Sequence, residues 1–238
     1  MAISTATITR PKDITLDKVP VVTCITVYGL TSGSESLNTL PRVALLPVKR
    51  GLSYYSDATR KLPAVLAPRG WYCRAILYAD GSVLLVVSAR PTSLSGSFPD
   101  LRKIASPLVA FYFSSVCGSC IYAISCGAVS AVARIPGYPL CPQEASSRQH
   151  KQVVHITLSK KKEVTGETVL FSDPANVGGI GWPSGGRYSA SGAVLYEAHR
   201  RTFFMQASIE TCSVPASMTH LCAPITSSFV RQHWMLPP

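Results

Sequence analysis

The segment from Trp71 to Ser88 constrains the fold more than any other part of the chain. Tyr72-Cys73-Arg74-Ala75-Ile76-Leu77-Tyr78-Ala79 and Ser82-Val83-Leu84-Leu85-Val86-Val87 flank the dipeptide Asp80-Gly81. Asp-Gly tolerates the positive φ angles of a two-residue type I′ turn, whose twist matches that of the strands beside it. The segment therefore predicts a β-hairpin. Its second strand is apolar at consecutive positions, so both of its faces must be covered, which places it centrally in a sheet buried on each side.

The rest of the chain continues in the same idiom. Residues 1–20 are Thr-rich and aperiodic and are read as a flexible N-terminal arm, extended or loose. Val21-Val22-Thr23-Cys24-Ile25-Thr26-Val27-Tyr28 is β-branched with partial alternation, and the turn residues from Gly29 to Asn38 should end that strand. Pro91–Pro99 reads as a loop. Pro136–Lys151 is a second break and the candidate boundary between a β-rich subdomain 21–140 and another, 141–238, unless 21–238 is one continuous domain. Past the break come expected strands at Gln152–Leu158, near Thr168–Phe171, at Ala193–Glu197 and at Thr202–Ser208, with a turn over Lys160–Gly166. Near the end Met218, Leu221, Cys222, Ile225, Phe229, Val230 and Gln232 fall at helical spacing, with Ser217 as N-cap. Pro224 lies inside that pattern and is expected to kink the helix or split it in two. The fold class is α+β: a β-rich antiparallel sheet with a C-terminal helix, stabilised by disulfides.

Composition limits the chemistry. Hydrophobic residues make up 47% of the 238 residues and charged ones 15%, which argues against disorder and leaves few groups for acid-base work. Ile104–Ala133 carries no charge and is long enough for a membrane span. Pro107, Gly118, Gly127 and its many serines instead favour buried strand, turn and short helix. The formal charge of +11, from 23 Lys and Arg against 12 Asp and Glu, favours attraction to polyanions such as nucleic acid, anionic lipid or cell-envelope polymers. The cations sit in short groups without interleaved aromatics, as solvated loop charges also would. Lys160, Lys161, Lys162, Arg200 and Arg201 are the polyanion-binding candidates among them.

Eight cysteines, Cys24, Cys73, Cys117, Cys120, Cys126, Cys141, Cys212 and Cys222, are an even and dense set, and an oxidising compartment accounts for them most simply. All eight are disulfide candidates. Between Met1 and the charges at Arg10, Lys12 and Asp13 there is no apolar run to serve as a signal peptide. The chain is then either a mature form begun at a new Met1 or cytoplasmic. Cys212 and Cys222 flank a turn forced by Pro215, where a disulfide would staple the helix to the sheet, stabilising by roughly 2 to 3 kcal/mol.

Two other uses of the thiols compete with cross-linking. Cys117-Gly118-Ser119-Cys120 resembles the cysteine segment of papain-type proteases, which would make Cys120 the nucleophile of a cysteine-dependent hydrolase. Ile121 replaces the usual aromatic, Ser114 stands where the oxyanion-hole Gln belongs, and the chain beyond Cys120 is shorter than the roughly 130 to 150 residues that reach the family's His and Asn. A zinc-stabilised nucleic-acid-binding module could use Cys117 and Cys120 as a C-x2-C pair, but Cys126 and Cys141 do not form a second one, and His150 and His155 are poorly spaced. Gly178–Gly186 shares only glycine content with a phosphate loop, lacking the Lys-Ser/Thr pair, and Trp182 reads better as an anchor. No metal, cofactor or catalytic residue is assigned.

Three blocks resemble a family of uncharacterised, predominantly exported bacterial proteins. They are Leu66-Ala67-Pro68-Arg69-Gly70-Trp71-Tyr72-Cys73, then Asp173-Pro174 through Gly181-Trp182-Pro183-Ser184-Gly185-Gly186, and Glu210-Thr211-Cys212 with Leu221-Cys222. The resemblance covers roughly residues 60–235 and implies an extracytoplasmic, disulfide-bearing fold with no known activity. The expectation is a non-enzymatic exported or envelope-associated protein that binds a partner or an anionic polymer.

Overall fold

A computed structural model describes residues 6–7, 13–16, 19–28, 51–57, 64–78, 82–94, 101, 104–114, 152–161, 164–173, 175, 187–199 and 205–235. The strands are β1 (Ala6–Thr7), β2 (Asp13–Leu16), β3 (Val19–Thr23), β4 (Ile25–Tyr28), β5 (Leu52–Ser56), β6 (Val65–Pro68) and β7 (Tyr72–Leu77). They continue with β8 (Val83–Ser88), β9 (Ser93–Leu94), β10 (Leu108–Ser114), β11 (Gln152–Lys161), β12 (Val164–Asp173), β13 (Ala190–His199) and β14 (Met205–Ser213). A 3-10 helix, Ala216–Leu221, then leads into helix α1, Cys222–Met235. The protein is thus α+β, β-rich, with its described helical structure at the C-terminal end.

Eight strands form one sheet in the order β11-β12-β13-β14-β10-β8-β7-β4. It consists of two antiparallel runs, β7-β8-β10 and β11-β12-β13-β14, joined where β10 lies against β14 with Leu108 opposite Ser213. Only β4 is parallel to its neighbour, β7. Strands from both sides of the Pro136–Lys151 break therefore share one sheet.

β8 lies between β7 and β10 and is buried at every position, as a strand apolar on both faces must be. On one face of the sheet Ile76, Leu84, Val86, Ala110, Tyr112, Val194 and Ile209 form a core that includes Leu101 and Ile104. On the other, Ala75, Leu85, Val87, Phe111, Ala193 and Leu195 pack with residues of the second sheet and of α1.

That second sheet has the order β2-β3-β5-β6, with β3 parallel to β5. The chain leaves it for the large sheet at one residue, Cys24, whose N–H donates to the Ser56 carbonyl at 2.8 Å. A short pair, β1 with β9, completes the described strands. Gly70, at φ +81°, occupies the third position of the Pro68-Arg69-Gly70-Trp71 turn and lets β6 return into β7. The Tyr55 hydroxyl fixes this turn, donating to the Pro68 carbonyl at 2.7 Å and accepting the Trp71 N–H at 3.0 Å. Helix α1 lies over β13, β14 and β6. Its buried side chains include Ile225 and Phe229, and the Phe229 ring meets Phe111 edge-on at 5.8 Å.

Local details differ from the sequence expectations. The hairpin forms, but Leu77 pairs with Val83 and the Tyr78 N–H donates to the Ser82 carbonyl. Three residues, 79–81, therefore connect the strands, one more than a two-residue turn on Asp80-Gly81 allows; a glycine also suits the last place of a three-residue connection. The turn expected over Lys160–Gly166 shrinks to residues 162–163, because Lys161 pairs with Val164 and both strands extend to ten residues, with a register shift between Leu158 and Lys161. Within 1–20, read as a flexible arm, β1, β2 and the start of β3 pair into sheets. Ser217 does not cap the helix: the 3-10 segment begins after Pro215, whose carbonyl accepts the Met218 N–H. Pro224 falls in the first turn of α1, where a missing N–H costs no helical bond, so the pieces meet at Cys222 and not at the proline. The uncharged stretch supplies the buried strand β10, and among the described residues no helix is long and apolar enough to cross a membrane.

Candidate functional site

Two disulfides among the described residues anchor the architecture. Cys24 at the crossover between sheets is bonded to Cys73 in β7, and Cys212 near the end of β14 is bonded to Cys222 at the start of α1. All four cysteines are buried, and among the described residues no cysteine is free. The first bond ties the crossover to β7 of the large sheet and the second fixes α1 on the sheet. Cys117, Cys120, Cys126 and Cys141 lie outside the described residues. So do Lys162, Arg200 and Arg201.

The register nevertheless relates the basic groups. Lys160 and Lys161 end β11 by backbone position. Lys161 pairs with Val164, and Val164 with His199, the last residue of β13, from which the chain runs directly into Arg200-Arg201. Neighbouring strands are about 4.8 Å apart, so the Lys161 and His199 backbones are separated by about 10 Å. The backbones of Lys160, Lys161 and His199 thus belong to one end of the sheet, although some forty positions separate them along the chain. Glu163 is the single acid in the connection between β11 and β12.

Sequence reasoning missed the buried polar groups. Glu210 in β14 is fully buried, and neither carboxylate oxygen has a hydrogen-bond partner. Burial pushes its carboxyl well above the ordinary range. By register it lies between Phe111 of β10 and Ala193 of β13, on the face that α1 covers. Arg74 of β7 is the opposite case, 4% exposed, with Nε and Nη1 lacking acceptors and its pKa lowered by desolvation. A third group spans the layers: the hydroxyls of Tyr54 and Ser228 are 3.1 Å apart, and Gln232 Nε2 donates to Ser228 Oγ at 3.0 Å. These side chains sit too deep for a surface site and join β5 to α1. The signal for Arg74 and Glu210 was present in retrospect, a lone charge within an otherwise uncharged strand.

No three His, Cys, Asp or Glu side chains among the described residues converge into a metal-binding group. Comparison with protein-family models, with curated proteins and with solved structures returns no match for this chain.

Proposed function

We propose that this is a non-enzymatic exported or cell-envelope-associated module that binds an anionic polymer or a protein partner through one end of its large sheet. The observation that supports the reading is the register Lys161–Val164–His199, which sets Lys160 and Lys161 two strands from His199, the residue that Arg200-Arg201 follow in the sequence. A net charge of +11 supplies the long-range attraction. Export is supported by the two buried disulfides, bonds that persist chiefly in oxidising compartments.

The test is binding of the full chain to heparin as a model polyanion across a salt series. Wild type should show a steep dependence of affinity on salt, and replacing the five cations by Ala should flatten the slope by about one per lost contact. The control variant neutralises Arg102 and Lys103. An equal flattening in the control would make the charge diffuse and sink the proposal, as would the absence of salt-sensitive binding in wild type.

A further inference from the structure

Arg74 presents a demand that the described residues do not meet. Its side chain shares a face of β7 with Tyr72 and Ile76, the face opposite that of Cys73 and Ala75. Across the sheet it stands beside Ile25 of β4 and Val86 of β8, with Ala110 of β10 next in the row. The same face of these strands otherwise carries Val27, Leu84, Ser88, Leu108 and Tyr112, so the described residues of these strands offer it no carboxylate. Glu210 is on the other face and three strands away, about 14 Å along the sheet. A guanidinium is never relieved by losing its proton at ordinary pH, and an unpaired buried cation is strongly unfavourable.

The position of Arg74 indicates what could answer that demand. β4 is the last described strand of the sheet, so the Arg74 backbone lies one strand, about 4.8 Å, from that edge. Ile25, directly opposite Arg74 on that strand, is 46% exposed and is the exposed large hydrophobic residue among those described. A buried cation with two free donors thus lies beside a solvent-facing apolar side chain. We propose that Arg74 anchors a binding site for a small organic carboxylate that enters over β4. The carboxylate accepts a hydrogen bond from Nε or from Nη1, and its apolar substituent lies along Ile25. A monoanion matches the one guanidinium that the described residues of these strands place on this face. β4, four residues paired on one side among the described strands, is the element that gives way on entry.

The experiment is thermal unfolding of the full chain in sodium acetate, butyrate, hexanoate, phosphate and chloride at matched ionic strength. Wild type should gain about 5 to 10 °C at roughly a hundredfold excess over Kd, with hexanoate acting at lower concentration than acetate. Arg74→Met keeps much of the volume without the charge; it should be at least as stable as wild type in chloride and respond to no carboxylate beyond chloride. Ile25→Ser, at an exposed site, should abolish the advantage of hexanoate over acetate and leave the acetate response intact. Should Arg74→Met not fold, the Ile25→Ser comparison and calorimetric titration of wild type with hexanoate decide. A wild type that distinguishes hexanoate no better than chloride overturns the proposal, as does an Arg74→Met protein that responds like wild type. Phosphate acting as strongly as hexanoate overturns the carboxylate assignment.

Discussion

The two disulfides make a quantitative comparison possible, because neither loop contains another cysteine. Cys24–Cys73 closes a separation of 49 residues and Cys212–Cys222 one of 10, with Cys117, Cys120, Cys126 and Cys141 outside both. The chain-entropy relation assigns about 4.1 kcal/mol to the longer loop and about 2.7 kcal/mol to the shorter. Replacing each pair by Ala also removes two buried sulfur atoms, a cost of similar size at the two sites because all four are buried. The difference of about 1.4 kcal/mol between Cys24→Ala/Cys73→Ala and Cys212→Ala/Cys222→Ala therefore isolates the loop effect. In urea the variant of the longer loop should have the lower midpoint and the larger increase in slope, since its unfolded chain expands more. Its melting temperature should lie roughly 3 to 6 °C below that of the other. If the short-loop variant is equally or less stable, loop entropy does not dominate, and attachment of α1 is the larger contribution.

Three further outcomes test the packing. A Cβ on Gly192 would collide with the Glu210 carbonyl oxygen and lie 2.9 Å from Phe171 Cζ, so Gly192→Ala should cost about 3 kcal/mol or more in urea denaturation; a loss under about 1 kcal/mol would show that β13 moves freely there. Burial raises the Glu210 pKa in the folded state, so the stability linked to its proton is fully present below about pH 4.3 and is lost as pH rises toward the folded value, by about 1.4 kcal/mol per unit. The advantage of Glu210→Gln over wild type should accordingly grow with pH above about 4.3, and a pH-independent difference would refute the buried neutral carboxyl. Tyr55→Phe removes a donor to Pro68 and an acceptor from Trp71, and should cost about 2 kcal/mol by denaturant titration; no measurable cost would mean that water or a shifted turn replaces both bonds.

What the sequence reveals of this fold is mostly what neighbouring residues decide. Tyr72–Val87 announces its strands through β-branched and apolar runs, and Met218 to Gln232 announces a helix through spacing. The hairpin register does not follow, since Gly81 suits a two- or a three-residue connection. Nor does the start of α1, which is set where the 3-10 turn after Pro215 meets the disulfide at Cys222. Pairing β10 with β14, and Cys24 with Cys73, depends on contacts between distant segments, and eight cysteines admit 105 full pairings. Arg74 and Glu210 escaped notice for a related reason: alternation in a strand says which residues share a face, but not whether that face meets water. The basic groups could be named from sequence, but only the β11-β12-β13 register brings the Lys160-Lys161 backbone to the same end of the sheet as His199.

The seam between β10 and β14 also has a bearing on biosynthesis. β10 is complete at Ser114, while its neighbour β14 begins only at Met205. At a translation rate of roughly 5 to 20 residues per second, one side of an apolar strand stays unpaired for on the order of 5 to 20 seconds after it is made. Pairings so distant along the chain also close slowly, on the order of milliseconds to seconds. During that interval the exposed backbone of β10 can join a strand of another nascent chain as readily as its own. Yield in a cell should therefore depend on how well that waiting edge is shielded, even for variants whose finished fold is fully stable.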